Sequence, residues 1–393
     1  MVPTLEKPNI PFFVLLFTPF LKPVSFDAFP ALDKLFLVWK LAVLVYLLVV
    51  LVPKCFRTVR LRLHPGIVCL FPFWLIYFIG CLRSGADVVS VGTAAIACLL
   101  LFLLILFEIR MHNGQLLMRS LSILFTGCIL AHIASVFLVK AGLLYLGSTT
   151  TYLFGMDNYA AFFLYPMLAV VLFYHSLRYG QLRLQSWLLL LGVVFIFLFT
   201  RSATAAGAGM LMVVFCALQP AWKKLPKLRS VWWIIGSMTV LLVLICGFEV
   251  QNLLASLLDS MSKGVTLNSR TYIWDHALRL IVERPVFGHG SFTQEQIADY
   301  ILYGTNHAHN LLIELLMRTG IVGTVCYLLF LCGISIPKHR PCAHENILLC
   351  GLVVQLVLFF MDYYATILVF YIFMAIVYYR ADLCKQCKEG TTQ

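Results

Sequence analysis

Charge is scarce in this chain: only 12% of its 393 residues are Asp, Glu, Lys or Arg, against 62% that are hydrophobic. With a mean hydropathy of +0.94, a soluble globule is excluded and a polytopic membrane protein is implied. No hydrophilic run is long enough for a separate soluble domain, so a single domain over 1–393 is expected. Cysteine is missing from Gln251 to His309, so the longest polar segment has no disulfide. Cys384 and Cys387 form a CxxC with no second pair, which points to a reduced tail rather than to zinc or redox chemistry. The first apolar run lacks a small-residue cleavage site, so no cleavable signal peptide is expected. Neither a fixed-period repeat nor mirrored halves are visible. The net charge of +12 is no sign of nucleic acid, because Lys and Arg collect in short loops between apolar runs, as the positive-inside rule requires.

Apolar runs long enough to span occur near 9–25, 33–53, 66–82, 87–107, 117–139, 159–177, 184–200, 202–220, 230–249, 310–336, 345–361 and 363–380. The pattern predicts an all-α protein of about twelve transmembrane helices. Basic residues follow every even-numbered span: Arg57, Arg60 and Arg62; Arg110; Arg178 and Arg183; Lys223 and Lys224; Lys338 and Arg340; Arg380 and Lys385. Both termini are then cytoplasmic, and one large helical loop, residues 251–308, is external.

Within that loop Asn268 or Ser269 is placed to cap a helix running towards Arg284, with Ile273, Ala277, Leu278 and Ile281 on one face. Asp275 and Arg279 stand at helical pair spacing. Pro285 stops the helix and Gly288 and Gly290 form a turn. Thr293 and Gln296 read as a capping box for a second short helix.

Several residues here could carry chemistry. Arg201 sits between two apolar runs with almost no loop. It is either a turn arginine meeting headgroups or one that faces a cavity, and its outer position favours the cavity. Arg270 begins the amphipathic helix, where a cation opposes the helix dipole unless an anion compensates. Paired guanidinium groups suit a diphosphate, since each offers two parallel charge-assisted hydrogen bonds. His307 and His309, beside Asn306 and Asn310, offer a general base or a metal ligand. A base is preferred, because HxH without a carboxylate at ligand spacing is thin support for a metal. Glu314 and Arg318 are spaced to pair with each other. Lys40 is a snorkelling residue or a lipid-phosphate contact, Asp362 orients a base or marks a helix junction, and His289 and Arg284 border the turn.

In these residues the chain resembles the O-antigen ligase and polymerase superfamily of bacterial membrane glycosyltransferases. The likeness runs from about the seventh span to the C-terminus. It rests on Arg201, on Arg270 followed by Trp274, on the P-x-x-G-x-G turn (Pro285, Gly288, Gly290), and on His309 and Asn310 leading into Gly320 and Gly323. The resemblance implies a GT-C-like enzyme with an external site in the bacterial inner membrane. Such an enzyme moves a glycan from undecaprenyl diphosphate to an acceptor glycolipid, without a metal or other cofactor. Arg201 and Arg270 would steady the diphosphate, and His309 would activate the acceptor hydroxyl for inverting attack. His307, Asn310, Arg284 and Lys40 are the accessory substrate-binding candidates. Some ligases carry a further arginine beyond the turn that this chain lacks, and Arg284 is the nearest substitute. The HxHN form and the two-helix loop favour ligase over polymerase. The competing class is a secondary transporter or flippase of envelope precursors, which shares the span count.

Overall fold

Apolar runs of this length satisfy their backbone groups in lipid only by becoming helices. The computed structural model describes residues 8–58, 63–148, 150–218, 235–236, 264–293, 295–296, 307–334 and 344–389. Among them no strand occurs, and the helices are α1 (Ile10–Phe17), α2 (Pro30–Tyr46), α3 (Leu70–Ser84), α4 (Val88–Arg110), α5 (Gly114–Lys140), α6 (Asp157–Tyr179), α7 (Leu184–Phe199), α8 (Ala203–Ala217), α9 (Gly264–Glu283), α10 (Leu311–Gly333), α11 (Glu345–Met361), α12 (Leu368–Tyr378) and α13 (Arg380–Glu389). After Tyr46 the second helix continues through a wider turn, Leu47–Leu51, into Val52–Thr58.

Among the described residues six helices are long and apolar enough to cross a membrane: Pro30–Arg57, Pro65–Ser84, Val88–Arg110, Gly114–Lys140, Asn158–Tyr179 and Leu311–Gly333. Shorter apolar helices fill Ile10–Leu21, Leu184–Phe199, Ala203–Ala217, Glu345–Phe360 and Leu368–Tyr378. The expected span at 230–249 lies outside the described residues, apart from Ile235 and Gly236. Two expected boundaries need correcting. The run at 363–380 becomes helical only at Leu368, because residues 362–367 form part of the site. The loop helix is already formed at Gly264, before Asn268 and Ser269, so neither caps it and Arg270 lies inside it rather than at a helix start, where its charge would oppose the dipole.

Burial explains the arrangement of the bundle. From Ala160 to Phe173 the apolar residues of α6 are nearly all sealed from the surface, so α6 is the central helix. At the periphery Leu35, Val38, Leu41 and Val45 on α2 with Leu48 in the wider turn that follows, and Leu188, Leu191, Phe195 and Leu198 on α7, stand exposed at helical spacing. Such apolar stripes suit lipid and not water.

Contacts between connections define two ends. At one end Ser25 N–H donates to Leu153 O, Ser202 bonds Asn158, Ser291 bonds Asp87, and the Tyr159 ring meets Tyr364. At the other His64 meets Tyr378, Gly114 N–H donates to Gln386, and Arg380 pairs with Glu345. The candidate residues gather at the first end.

Candidate active site

Helix α10 is broken at Gly320, whose backbone (φ 62°, ψ −168°) cannot continue a helix. The 285–290 turn supplies what the break removes. His289 N–H donates to Met317 O (2.9 Å), Gly290 N–H to Arg318 O (2.8 Å), and Ile321 N–H to Pro285 O (2.8 Å). Irregular backbone among apolar helices persists only when protein satisfies its polar groups in this way. Gly288 and Gly320 both have positive φ, and a Cβ on either would strike the backbone of the other segment. A Cβ on Gly290 would strike Gly80 of α3. The turn is therefore wedged between α3 and α10, and the two glycine motifs read from sequence are halves of one joint.

The loop that carries the histidines is secured on every side. Asn310 caps α10, its Oδ1 accepting from Leu312 N–H (2.9 Å) and Ile313 N–H (3.3 Å), while its Nδ2 donates to Phe360 O (3.0 Å). Glu314 reaches back to accept from Ala308 N–H (2.6 Å), and Trp274 Nε1 donates to Ala308 O (2.8 Å). Helix α9 buries Ile273, Trp274, Ala277 and Leu280 against Ile313, Met317 and Phe360. The face expected from sequence was off by a step, since Leu278 is exposed and Leu280 is buried. The apolar face lies against protein rather than against the bilayer surface.

Held this way, His309 adopts φ +50°. His307 Nδ1 lies 3.1 Å and His309 Nδ1 3.6 Å from Asp362 Oδ1. Tyr364 Oη donates to Asp362 Oδ2 (3.1 Å) and sits 2.9 Å from His307 Nε2. His307 Nδ1 is also within reach of His309 N–H (3.3 Å), so both of its ring nitrogens are engaged. His309 differs. Its Nδ1 is buried facing Asp362, and its Nε2 has no partner among the described residues. A ring with a carboxylate facing one nitrogen and no partner among the described residues on the other can accept a proton. His307, His309 and Asp362 also present one ligand atom each within 4.8 Å of one another, the donor set a divalent transition ion would use. The carboxylate that the HxH pair lacks in sequence thus comes from the end of α11.

Burial lowers the His307 pKa below its ordinary 6.5, against the pull of Asp362 and Glu314. Burial and the Asp362 carboxylate raise Tyr364 well above the ordinary range, which keeps it a donor. A histidine that takes its proton less readily when folded contributes stability in full above its unfolded value, lost as pH falls through the native one. Thermal melts of the purified protein should therefore fall in midpoint from about pH 7.5 to pH 5, and His307→Gln should flatten that slope.

A cavity of about 210 Å³ opens beside His307, lined by Tyr77, Asp87, Ser90, Glu314, Arg318, Tyr363, Tyr364 and Thr366 among others. Arg318 pairs with Glu314, as the spacing predicted, and also donates to Tyr77 Oη (3.2 Å) and Ser291 Oγ (2.7 Å). Ser291 Oγ in turn donates to Asp87 Oδ2 (2.6 Å). Asp87 was not a sequence candidate, and nothing in its local sequence marks it.

The remaining candidates divide. Arg201 is exposed, with φ +59°. Its neighbour Ser202 bonds Asn158, next to the Tyr159 ring that touches Tyr364, so the Arg201 turn adjoins the histidine cluster. Three of the four non-glycine residues with positive φ among those described are Asp87, Arg201 and His309. Left-handed backbone at such residues is retained where surroundings over-determine it, commonly at working sites. The Arg270 side chain lies outside the described residues. Arg284 is exposed beside the turn, and Lys40 Nζ lies 3.5 Å from Thr93 Oγ1. Asn310 spends its amide on the cap and on Phe360, so it holds the loop instead of facing the cavity. His289 does the same for the turn through Leu280 O (2.8 Å). The Thr293–Gln296 capping box is present, with reciprocal bonds of 3.0 and 3.3 Å.

Fold and site together define an all-helical polytopic membrane protein with a carboxylate-backed histidine pair beside a polar cavity. Residues 186–328 match the family described as O-antigen ligase, and to that extent this part of the chain is similar to it. The match begins at α7 and takes in Arg201, Arg270 and both histidines; it ends within α10, short of the C-terminal reach expected, so Asp362 lies beyond it. No curated protein and no solved structure matches the chain.

Proposed function

We propose that the protein is a membrane glycosyltransferase of the O-antigen ligase or polymerase type. It moves a glycan from undecaprenyl diphosphate to a hydroxyl of an acceptor glycolipid, either lipid A core or a second lipid-linked repeat. The observation that carries this reading is the posture of His309, with Nδ1 turned to Asp362 and no hydrogen bond to Nε2 among the described residues, inside a segment similar to the O-antigen ligase family. The acceptor O–H gives its proton to His309 Nε2 as its oxygen bonds the anomeric carbon. The bond from that carbon to the diphosphate breaks, with inversion, and the diphosphate leaves with the electron pair. Arg201 and Arg270 stabilise the charge that grows there. Arg284 is available as a third phosphate contact, and Lys40 as a headgroup contact.

This reading takes the chain as one GT-C-like unit of about twelve spans in the bacterial inner membrane. Both termini are cytoplasmic and the site end is external. Arg57, Arg110, Arg178, Arg183 and Arg380 follow helices that end away from the histidines, which supports that orientation.

The test is transfer by the purified protein from an undecaprenyl-diphosphate glycan to each acceptor in turn. Product on one of them identifies ligase or polymerase, and no product on either sinks the reading. Arg201→Lys should lower the rate by about tenfold to a hundredfold, because a point charge cannot reproduce a two-pronged contact on phosphate. Chemistry of this kind needs no metal. Protein treated with EDTA and assayed without added cations should transfer at an undiminished rate, and a loss restored by one divalent ion would reassign the His307–His309–Asp362 cluster as its ligands.

A further inference from the structure

The cavity beside His307 has a charge and a position that together restrict what it can hold. Its mouth is exposed at Asp87, Ser90 and Thr366, and its floor is the buried pair Glu314–Arg318. The guanidinium on that floor is committed to Glu314, Tyr77 and Ser291, and Asp87 adds a second carboxylate at the mouth. Among the described lining residues acidic groups therefore equal or outnumber basic ones, and a phosphate or uronate would meet repulsion from them. Hydroxyls suit the lining, since Ser90 and Thr366 can both donate and accept and Asp87 accepts. Tyr77 and Tyr364 add ring surface of the kind that covers the apolar face of a sugar. The volume of about 210 Å³ equals roughly seven waters. That falls below the ~300–1,000 Å³ of a drug-sized pocket and suits one ring rather than an oligosaccharide.

Position separates the cavity from the diphosphate. Moving from Arg201, the contacts run through Ser202, Asn158, Tyr159 and Tyr364 to His307, and the cavity begins at those last two residues. On the transferase reading, the Arg201 turn and the cavity thus meet at Tyr364 and His307, whose ring lies 4.0 Å from that of His309. We propose that this cavity is the acceptor subsite, taking a single neutral, hydroxyl-rich pyranose whose free hydroxyl is presented towards His309. This rests on the transferase reading above and extends it by naming the acceptor chemistry, with Asp87, Ser90 and Thr366 as the residues that select it. Much of the wall comes from α3, α4 and the 362–367 segment, outside the matched region 186–328, so acceptor choice is set by parts of the chain distinct from those that hold the donor.

Two arms test it on the full-length protein in lipid nanodiscs. In the first, transfer rates are measured against acceptor and donor concentration separately for wild type, Ser90→Trp and Asp87→Asn. The acceptor KM should rise about tenfold, the cost of a lost or blocked hydrogen-bonded contact, with the donor KM unchanged. In the second, saturation-transfer NMR follows methyl β-D-glucopyranoside and methyl β-D-glucuronide. The neutral glycoside should take up saturation in wild type and lose it in Ser90→Trp, and the uronide should show none. If the donor KM rises instead, or Ser90→Trp changes neither KM nor saturation while transfer continues, the acceptor assignment is overturned and the transferase reading stands. Saturation of the uronide equal to that of the neutral glycoside overturns the neutral-sugar assignment. If wild type transfers nothing yet binds the neutral glycoside in a Ser90-dependent way, the sugar site survives and the transferase reading falls.

Discussion

If the proposed transferase reading holds, His309→Ala should lower glycan transfer by about 10²–10⁴-fold, the contribution a positioned general base makes, while the protein still inserts and melts close to wild type. The second half of that expectation comes from the structure. The His309 ring makes no hydrogen bond among the described residues, and its Nδ1 faces Asp362 Oδ1 at 3.6 Å, beyond hydrogen-bond reach, so truncation breaks no hydrogen bond there. His307 is the useful contrast. Both of its nitrogens are engaged, so His307→Ala leaves the His309 backbone N–H without its partner and Tyr364 with Asp362 alone, and lowers stability together with rate. Transfer assays paired with melting curves separate the two. Equal activity of His309→Ala and wild type would remove the base assignment. His309→Gly adds a control, because glycine accepts φ +50° without strain and should melt no lower than the alanine variant.

The second large effect is expected at the joint between the turn and the broken helix. Gly320→Ala places a methyl group into the backbone of Val286 and Phe287 and asks alanine to hold φ +62°. Left-handed backbone costs roughly 1–2 kcal/mol for an L-residue and overpacking roughly 1–3 kcal/mol more, so a loss of about 2–5 kcal/mol is expected. That is a large share of the stability a native protein holds. Gly207→Ala is the matched control: its Cβ meets nothing within 4 Å and its φ is ordinary, so it should be neutral or slightly stabilising. Thermal unfolding in nanodiscs measures both. If Gly320→Ala melts with Gly207→Ala, the wedge of turn into helix is not the support it is taken to be. Because the joint sits one helical segment below Asn310 and Glu314, any variant that loosens it should also displace the histidine loop.

The local part of the site was legible. Asn310, His309 and His307 announce themselves at the edge of an apolar run, Pro285 and two glycines announce a turn, and Glu314 and Arg318 sit at pair spacing. Each of those signals lies within a few residues of chain, where helix periodicity and turn chemistry act. Errors arose where tertiary contact outweighed local preference. The buried face of α9 includes Leu280 and not Leu278 because α10 and Phe360 select it, and helix α12 starts late because residues 362–367 are drawn into the histidine cluster.

Amino-acid order by itself determined an all-helical membrane chain, the polar segment that interrupts it, and the histidines and arginines worth suspecting. Hydropathy and helical spacing are properties of short stretches, and water and lipid read them before any long-range contact forms. Only the folded chain decided which residues serve those histidines. Asp362 meets His309 from another helix, and Ser291 reaches Asp87 across 204 positions. The turn at 285–290 completes a helix broken more than a loop away. Contacts of that kind depend on how helices cross and which backbone groups a break leaves unpaired, and no local pattern encodes either.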